Sequence, residues 1–186
     1  MFIQTEATPN PTTLKFVPGK PVLDSGTRDY RDPAEAAAES PLAARLFEVE
    51  GIEGVFFGTD FISVTKGTGE WQHLKPMVLG AIMDHYMSDA PVLNGEQTGN
   101  SGEEKTFNEG DQATVNTIKE LLETRVRPAV AQDGGDIVFH DYKDGIVYLH
   151  MRGACAGCPS STATLQNGIE NLLKHFLPEI QEVRPI

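Results

Sequence analysis

The sequence predicts an α+β protein made of two small α/β-layer domains joined by a flexible linker. Residues 1–90 and 111–186 each mix short β-branched and aromatic runs with helical spacing of apolar residues. Between them, residues 91–110 turn polar and glycine-rich, as in Asn94-Gly-Glu-Gln-Thr-Gly-Asn-Ser-Gly-Glu-Glu104. A chain of 186 residues with 39% hydrophobic content holds enough apolar surface for two modest cores.

Taken in order, residues 2–6 and 12–17 read as two short strands around the turn Thr8-Pro9-Asn10-Pro11. Residues 32–39 are alanine-rich and suit a helical turn. A firmer helix starts at Ser40-Pro41, a capping residue followed by a proline whose missing N–H is not needed at the first position, and runs through Phe47. Residues 51–57 and 61–65 form a strand hairpin. A helix follows over 71–87, with Leu74, Val78, Ala81, Ile82 and Tyr86 on one face. His73, Asp84 and His85 on this helix are read as surface or packing residues rather than ligands. Trp71 and the phenylalanines at 47, 56, 57 and 61 are read as core. About twenty linker residues have a root-mean-square reach of roughly 25 Å, enough for the domains to reorient.

The second domain is expected in the order helix, β-hairpin, cysteine turn, helix and short edge strand. Val115, Ile118, Leu122 and Val126 space a helix over 111–130, and Gln132-Asp133-Gly134-Gly135-Asp136 ends it, with Asp133 and Asp136 read as turn and cap residues. Strands 137–142 and 146–151 pair across Lys143-Asp144-Gly145. A helix over 161–176 turns Leu165, Ile169, Leu172, Leu173 and Phe176 inward, Pro178 stops it, and residues 182–184 suit an edge strand.

The chemistry concentrates in Gly153-Ala154-Cys155-Ala156-Gly157-Cys158-Pro159-Ser160-Ser161, which holds both cysteines of the chain. Pro159 suits the first helical position, so Cys158 is expected near the N-cap, where unpaired N–H groups and the helix dipole favour thiolate. A thiolate attacks disulfides and binds soft metals. Two thiolates do not fill the four-ligand shell of zinc or an iron–sulfur cluster. Three readings follow: the dithiol works by redox exchange, histidine or solvent fills the shell, or a second copy of the chain does. His150, five residues before Cys155, is the histidine nearest to the pair in sequence; it, His140 and His175 are read as surface or strand-face residues.

The net charge of −12, half of it on residues 1–90, leaves no basic stripe for a phosphate backbone, so nucleic acid is not an expected partner. No apolar run reaches bilayer length, so neither is a membrane. With two cysteines and no disulfide framework, the expected location is a bacterial cytoplasm, or the mitochondrial matrix if a presequence has been removed.

Residues 111–186, with Asp133-Gly-Gly-Asp136, the following hairpin and the Gly153–Ser161 motif, closely resemble the NifU-like C-terminal domain of the Nfu iron–sulfur proteins. Thr5-Glu-Ala-Thr-Pro-Asn-Pro-Thr-Thr-Leu-Lys-Phe16 resembles the start of the Nfu N-terminal domain. The resemblance implies a non-enzymatic scaffold or carrier. It would bind a labile [4Fe-4S] cluster through Cys155 and Cys158, bridge a homodimer that forms on cluster binding, take the cluster from upstream assembly machinery and deliver it to apo iron–sulfur proteins. The competing readings are a thiol–disulfide oxidoreductase and a zinc site shared by two chains.

Overall fold

The computed structural model describes residues 1–95, 106–156 and 162–186. It is an α+β protein with two sheets and two hydrophobic cores, as the patterning predicts.

Strands β1 (Gln4–Ala7), β2 (Thr13–Val17), β3 (Arg28–Tyr30), β4 (Ile52–Phe57) and β5 (Ile62–Lys66) form an antiparallel sheet in the order β1-β2-β5-β4-β3. Helices α1 (Pro33–Glu39), α2 (Pro41–Phe47) and α3 (Trp71–Met87) complete this half. Ser40 both ends α1 and caps α2: its Oγ accepts from Ala43 N at 3.1 Å and donates to the carbonyl of Val92. Phe16, Leu42, Leu46, Val55, Phe57, Ile62, Val64, Val78 and Ile82 are sealed in the first core. Leu93 joins them and Asn94 N donates to Glu39 O at 2.7 Å, so the head of the expected linker packs back on this core. The middle of the expected linker, residues 96–105, lies outside the described residues.

Strand β3 was not anticipated. Three residues carry no periodicity of their own, and β3 exists because Arg28, Asp29 and Tyr30 pair with Phe57, Phe56 and Val55 of β4. Strand β4 is also buried on both faces near its end: Val55, Phe56 and Phe57 are all 1% exposed or less. Phe57 points into the core; Phe56 belongs to neither core, because the second half of the protein covers the sheet's other face.

That second half begins with α4 (Glu109–Leu121), continues through a widened π-helical turn at Leu122–Val126 and ends in α5 (Arg127–Gln132). One helix was expected here. Pro128 has no N–H for the carbonyl of Thr124, and its ring crowds that oxygen, which accounts for the widened turn. Strands β6 (Gly135–Lys143) and β7 (Ile146–Gly153) form the expected hairpin, with Asp144 and Gly145 both at positive φ (53° and 79°), as a type I′ turn requires. After α6 (Thr162–Phe176), strand β8 (Glu182–Pro185) lies parallel to β7. Ile169 and Leu173 of α6 point inward. Phe176, predicted inward, is 46% exposed and lies under the Arg125 guanidinium, 5.6 Å from its ring centre. No described helix is long and apolar enough to cross a membrane.

His85, read from sequence as a surface or packing residue, is wholly buried on α3, and its ring nitrogens make no well-aligned hydrogen bond among the described residues, the carbonyls of Ala90 and Pro91 lying near them in poorer geometry. Burial, and then the charge of Arg45, hold its basicity below the ordinary 6.5; the backbone carbonyls of Ala90 and Pro91 offset this in part. The unfolded chain therefore takes up this proton first as pH falls. His85's contribution to stability is complete above about pH 6.5 and declines below it. Urea midpoints measured from pH 8 to pH 5 are expected to drop on the acid side, and His85→Phe to flatten that drop; an equal slope in the variant would assign it to other groups.

Candidate cluster-binding turn

The cysteine turn grows from the open end of the β6–β7 hairpin, where Gly135 pairs with Gly153. Gly153 has φ +61°, a conformation that lets β7 leave the sheet abruptly. Three backbone bonds then fold the segment: Ala154 N donates to Gly134 O at 3.2 Å, Cys155 N to Arg152 O at 3.3 Å and Ala156 N to Gly153 O at 3.1 Å. These N–H groups are engaged inside the turn. Cys155 is 7% exposed and packs with the second core. Its sulfur lies where Gly135 lacks a side chain: a Cβ there would stand 2.4 Å from Sγ. Gly135 is therefore a spatial requirement of the thiol position.

Among the described residues, an apolar cleft of about 370 Å³ opens beside Cys155 between α5 and α6, walled by Val126, Val130, Leu165, Ile169 and Leu172. Cys158, the second predicted ligand, lies outside the described residues with Gly157, Pro159, Ser160 and Ser161, as does its expected place at a helix N-cap.

Asp136 departs from its predicted role as a turn and cap residue. It is 3% exposed and forms a two-pronged ion pair with Arg127, with Nε to Oδ1 at 2.8 Å and Nη2 to Oδ2 at 2.9 Å. Hydrogen bonding to Asp136 raises the already high basicity of Arg127. Oδ1 also accepts from Ile137 N, and Oδ2 from Thr27 Oγ1 of the first half, each at 2.9 Å. The carboxylate thus ties α5 to the start of β6 and holds the strand that carries Gly135.

His150 stacks edge-on against His140, with ring centres 4.7 Å apart, and its basicity is lowered by burial, then by His140 and Arg152. No group of three or more His, Cys, Asp or Glu side chains able to hold a metal occurs among the described residues.

Sequence reasoning passed over Asn10, which is 2% exposed. Its Nδ2 faces the carbonyls of Ala154 and Ala156, both at 3.4 Å, while its Oδ1 accepts from Thr12 N at 3.1 Å and Thr12 Oγ1 at 2.8 Å. The one available sign was that Thr8-Pro9-Asn10-Pro11 is richer in turn formers than a plain strand connection needs.

Residues 3–89 match the family model described as the scaffold protein Nfu/NifU N terminal, and residues 118–184 match that of the NifU-like domain. The chain is 49% identical over 189 residues to the human mitochondrial NFU1 iron-sulfur cluster scaffold homolog, covering all of this chain and 72% of that one. It is 48% identical over 186 residues to the mitochondrial NifU-like protein 4 of Arabidopsis thaliana, covering 98% of this chain and 65% of that one. The solution structure of a NifU-like protein from Saccharomyces cerevisiae aligns with TM-score 0.46 and 25% identity over 52% of this chain and 87% of that chain.

The packing of Cys155 on Gly135 gives a direct test. Gly135→Ala puts a methyl group against Sγ, Cys155 N at 2.9 Å and Arg152 O at 3.1 Å, and overpacking of this kind costs about 1–3 kcal/mol in urea unfolding. Gly168→Ala on α6 meets nothing within 4 Å and is expected to stabilise by about 0.5–1 kcal/mol. Equal effects at the two positions would remove the spatial requirement.

Proposed function

The chain belongs to the Nfu/NifU family of scaffold proteins, and on that premise we propose that it carries a labile [4Fe-4S] cluster as cargo, held by Cys155 and Cys158 between two copies of the chain. The cluster passes from upstream assembly machinery to apo iron–sulfur proteins, without chemistry catalysed by the chain itself. The observation that carries this reading is the ligand shortage at a preformed turn. A turn that opens at Gly153 holds Cys155, the chain's two thiols fall short of a four-sulfur shell, no described group of three or more His, Cys, Asp or Glu side chains could hold a metal, and relatives across the full chain are named as iron-sulfur cluster scaffolds.

The physical logic suits delivery. A cluster shared by two short turns is released when the two chains separate, without unfolding either one. Both thiols must stay reduced, which fits a reducing compartment such as the cytoplasm or mitochondrial matrix.

Anaerobic reconstitution with ferrous iron and sulfide tests the reading. The expected product is a dimer with about two irons and two sulfides per chain, one four-iron cluster per pair of turns. Cys155→Ser and Cys158→Ser are each expected to lose the visible chromophore and the dimer while keeping the wild-type circular dichroism. Zinc retained without sulfide, or a reversible intramolecular disulfide with no chromophore, would replace this reading with the zinc-site or redox reading.

A further inference from the structure

The first sheet has a face turned away from its own core, and the centre of that face is buried. Strand register defines one row across all five strands: Glu6 opposite Lys15, Lys15 opposite Ser63, Ser63 opposite Phe56, and Phe56 opposite Asp29. At its centre, Ser63 and Phe56 are each 1% exposed. A sheet face with no helix layer of its own reaches that burial only under another body.

The contacts identify the body. Lys15 Nζ donates to Gln132 O at 3.2 Å, and Ser63 Oγ to Gly134 O at 2.6 Å. The Phe56 ring lies close enough to Gly153 that a Cβ there would stand 2.9 Å from it. Asn10, in the loop between β1 and β2, reaches the carbonyls on either side of Cys155. Every one of these contacts falls on residues 132–134 or 153–156, the two segments that bracket the cysteine turn.

We propose that the N-terminal domain is a docked lid on the cysteine turn, with Asn10 as its latch, and that docking governs how readily Cys155 meets anything outside its own chain. Asn10 is a positioning residue: it bonds the peptide carbonyls on either side of the thiol. Besides these, Thr27 Oγ1 donates to Asp136 Oδ2 at 2.9 Å, so the described interface holds a small set of polar bonds, the two from Asn10 long, around one aromatic ring, a polar make-up of the kind found where domains of one chain move against each other. If the cluster bridges two chains, as proposed above, the lid must swing clear before a second turn can approach. The lid itself does not depend on that reading.

Asn10→Asp isolates the latch. It keeps the Oδ1 that accepts from Thr12, and so the local turn, but replaces the amide donor with an oxygen facing two carbonyl oxygens. Ser63→Trp is an independent block, on the sheet face away from the core. In the full-length apo chain under reductant, iodoacetamide labelling of Cys155, followed by mass spectrometry of its peptide, is expected to speed up by about tenfold in Asn10→Asp, the scale of two lost hydrogen bonds. Ser63→Trp is expected to match it, with larger radii of gyration by small-angle X-ray scattering and wild-type circular dichroism in both. Wild-type labelling rates in folded Ser63→Trp would overturn the lid; a wild-type rate in folded Asn10→Asp alongside fast Ser63→Trp would overturn Asn10's role as latch. If Asn10→Asp fails to fold, Ser63→Trp alone decides for or against the lid. The labelling involves no iron, so failure of the cluster reading would show in reconstitution and leave this result untouched.

Discussion

The structure depends on the close meeting of two glycines, Gly135 and Gly153, at the open end of the β6–β7 hairpin. A side chain at either position would strike something fixed: the sulfur and backbone of Cys155 at Gly135, the Gly134 carbonyl and the Phe56 ring at Gly153. The thiol therefore occupies space that the strands leave open by having no Cβ there. Around this gap the supporting parts fall into order. The Asp136–Arg127 pair fixes the strand that carries Gly135 to the helix before it, and Thr27 adds a bond to the same carboxylate from the other domain. Asp136 has little exposure and four hydrogen bonds, so its charge is well compensated where an isolated buried carboxylate would be costly.

The two domains are unequal partners at this turn. The NifU-like half supplies the hairpin, the thiol and the apolar cleft. The N-terminal half supplies a sheet face and Asn10, which bear on the backbone around the turn, and Thr27, which bonds the Asp136 carboxylate. This division gives the first domain a physical task in the proposed lid. Its chemistry-bearing residues are ordinary by themselves; their placement on one cross-strand row makes them a surface.

Much of the fold was legible in the sequence because its signals are local. Ser40-Pro41 announced a helix start, Asp144-Gly145 a tight hairpin, and the spacing of Ile169 and Leu173 an inward helix face. The features missed are those that need a second element to exist. Strand β3 has no pattern of its own and is created by β4. Phe56 reads as core because it is apolar in a strand, yet its ring lies between Phe61 of its own domain and Gly153 of the other. Phe176 fits the helical stripe but falls beyond the last turn that the sheet can cover, so it rests under Arg125 instead. At the candidate site, the motif pointed to Cys155, while Asn10 and Asp136 were read as turn residues because nothing in a linear reading brings position 10 to position 155.

The parallel pairing of β8 with β7 bears on the chain's synthesis. Residues 182–185 leave the ribosome after the cysteine turn, and until they do, β7 has an open edge and α6 lacks the strand whose Val183 it contacts through Gln166 and Glu170. Every strand and helix of the first domain has emerged long before. As domains fold in the order they emerge, the first sheet is complete while the domain that holds the thiol still lacks its last strand.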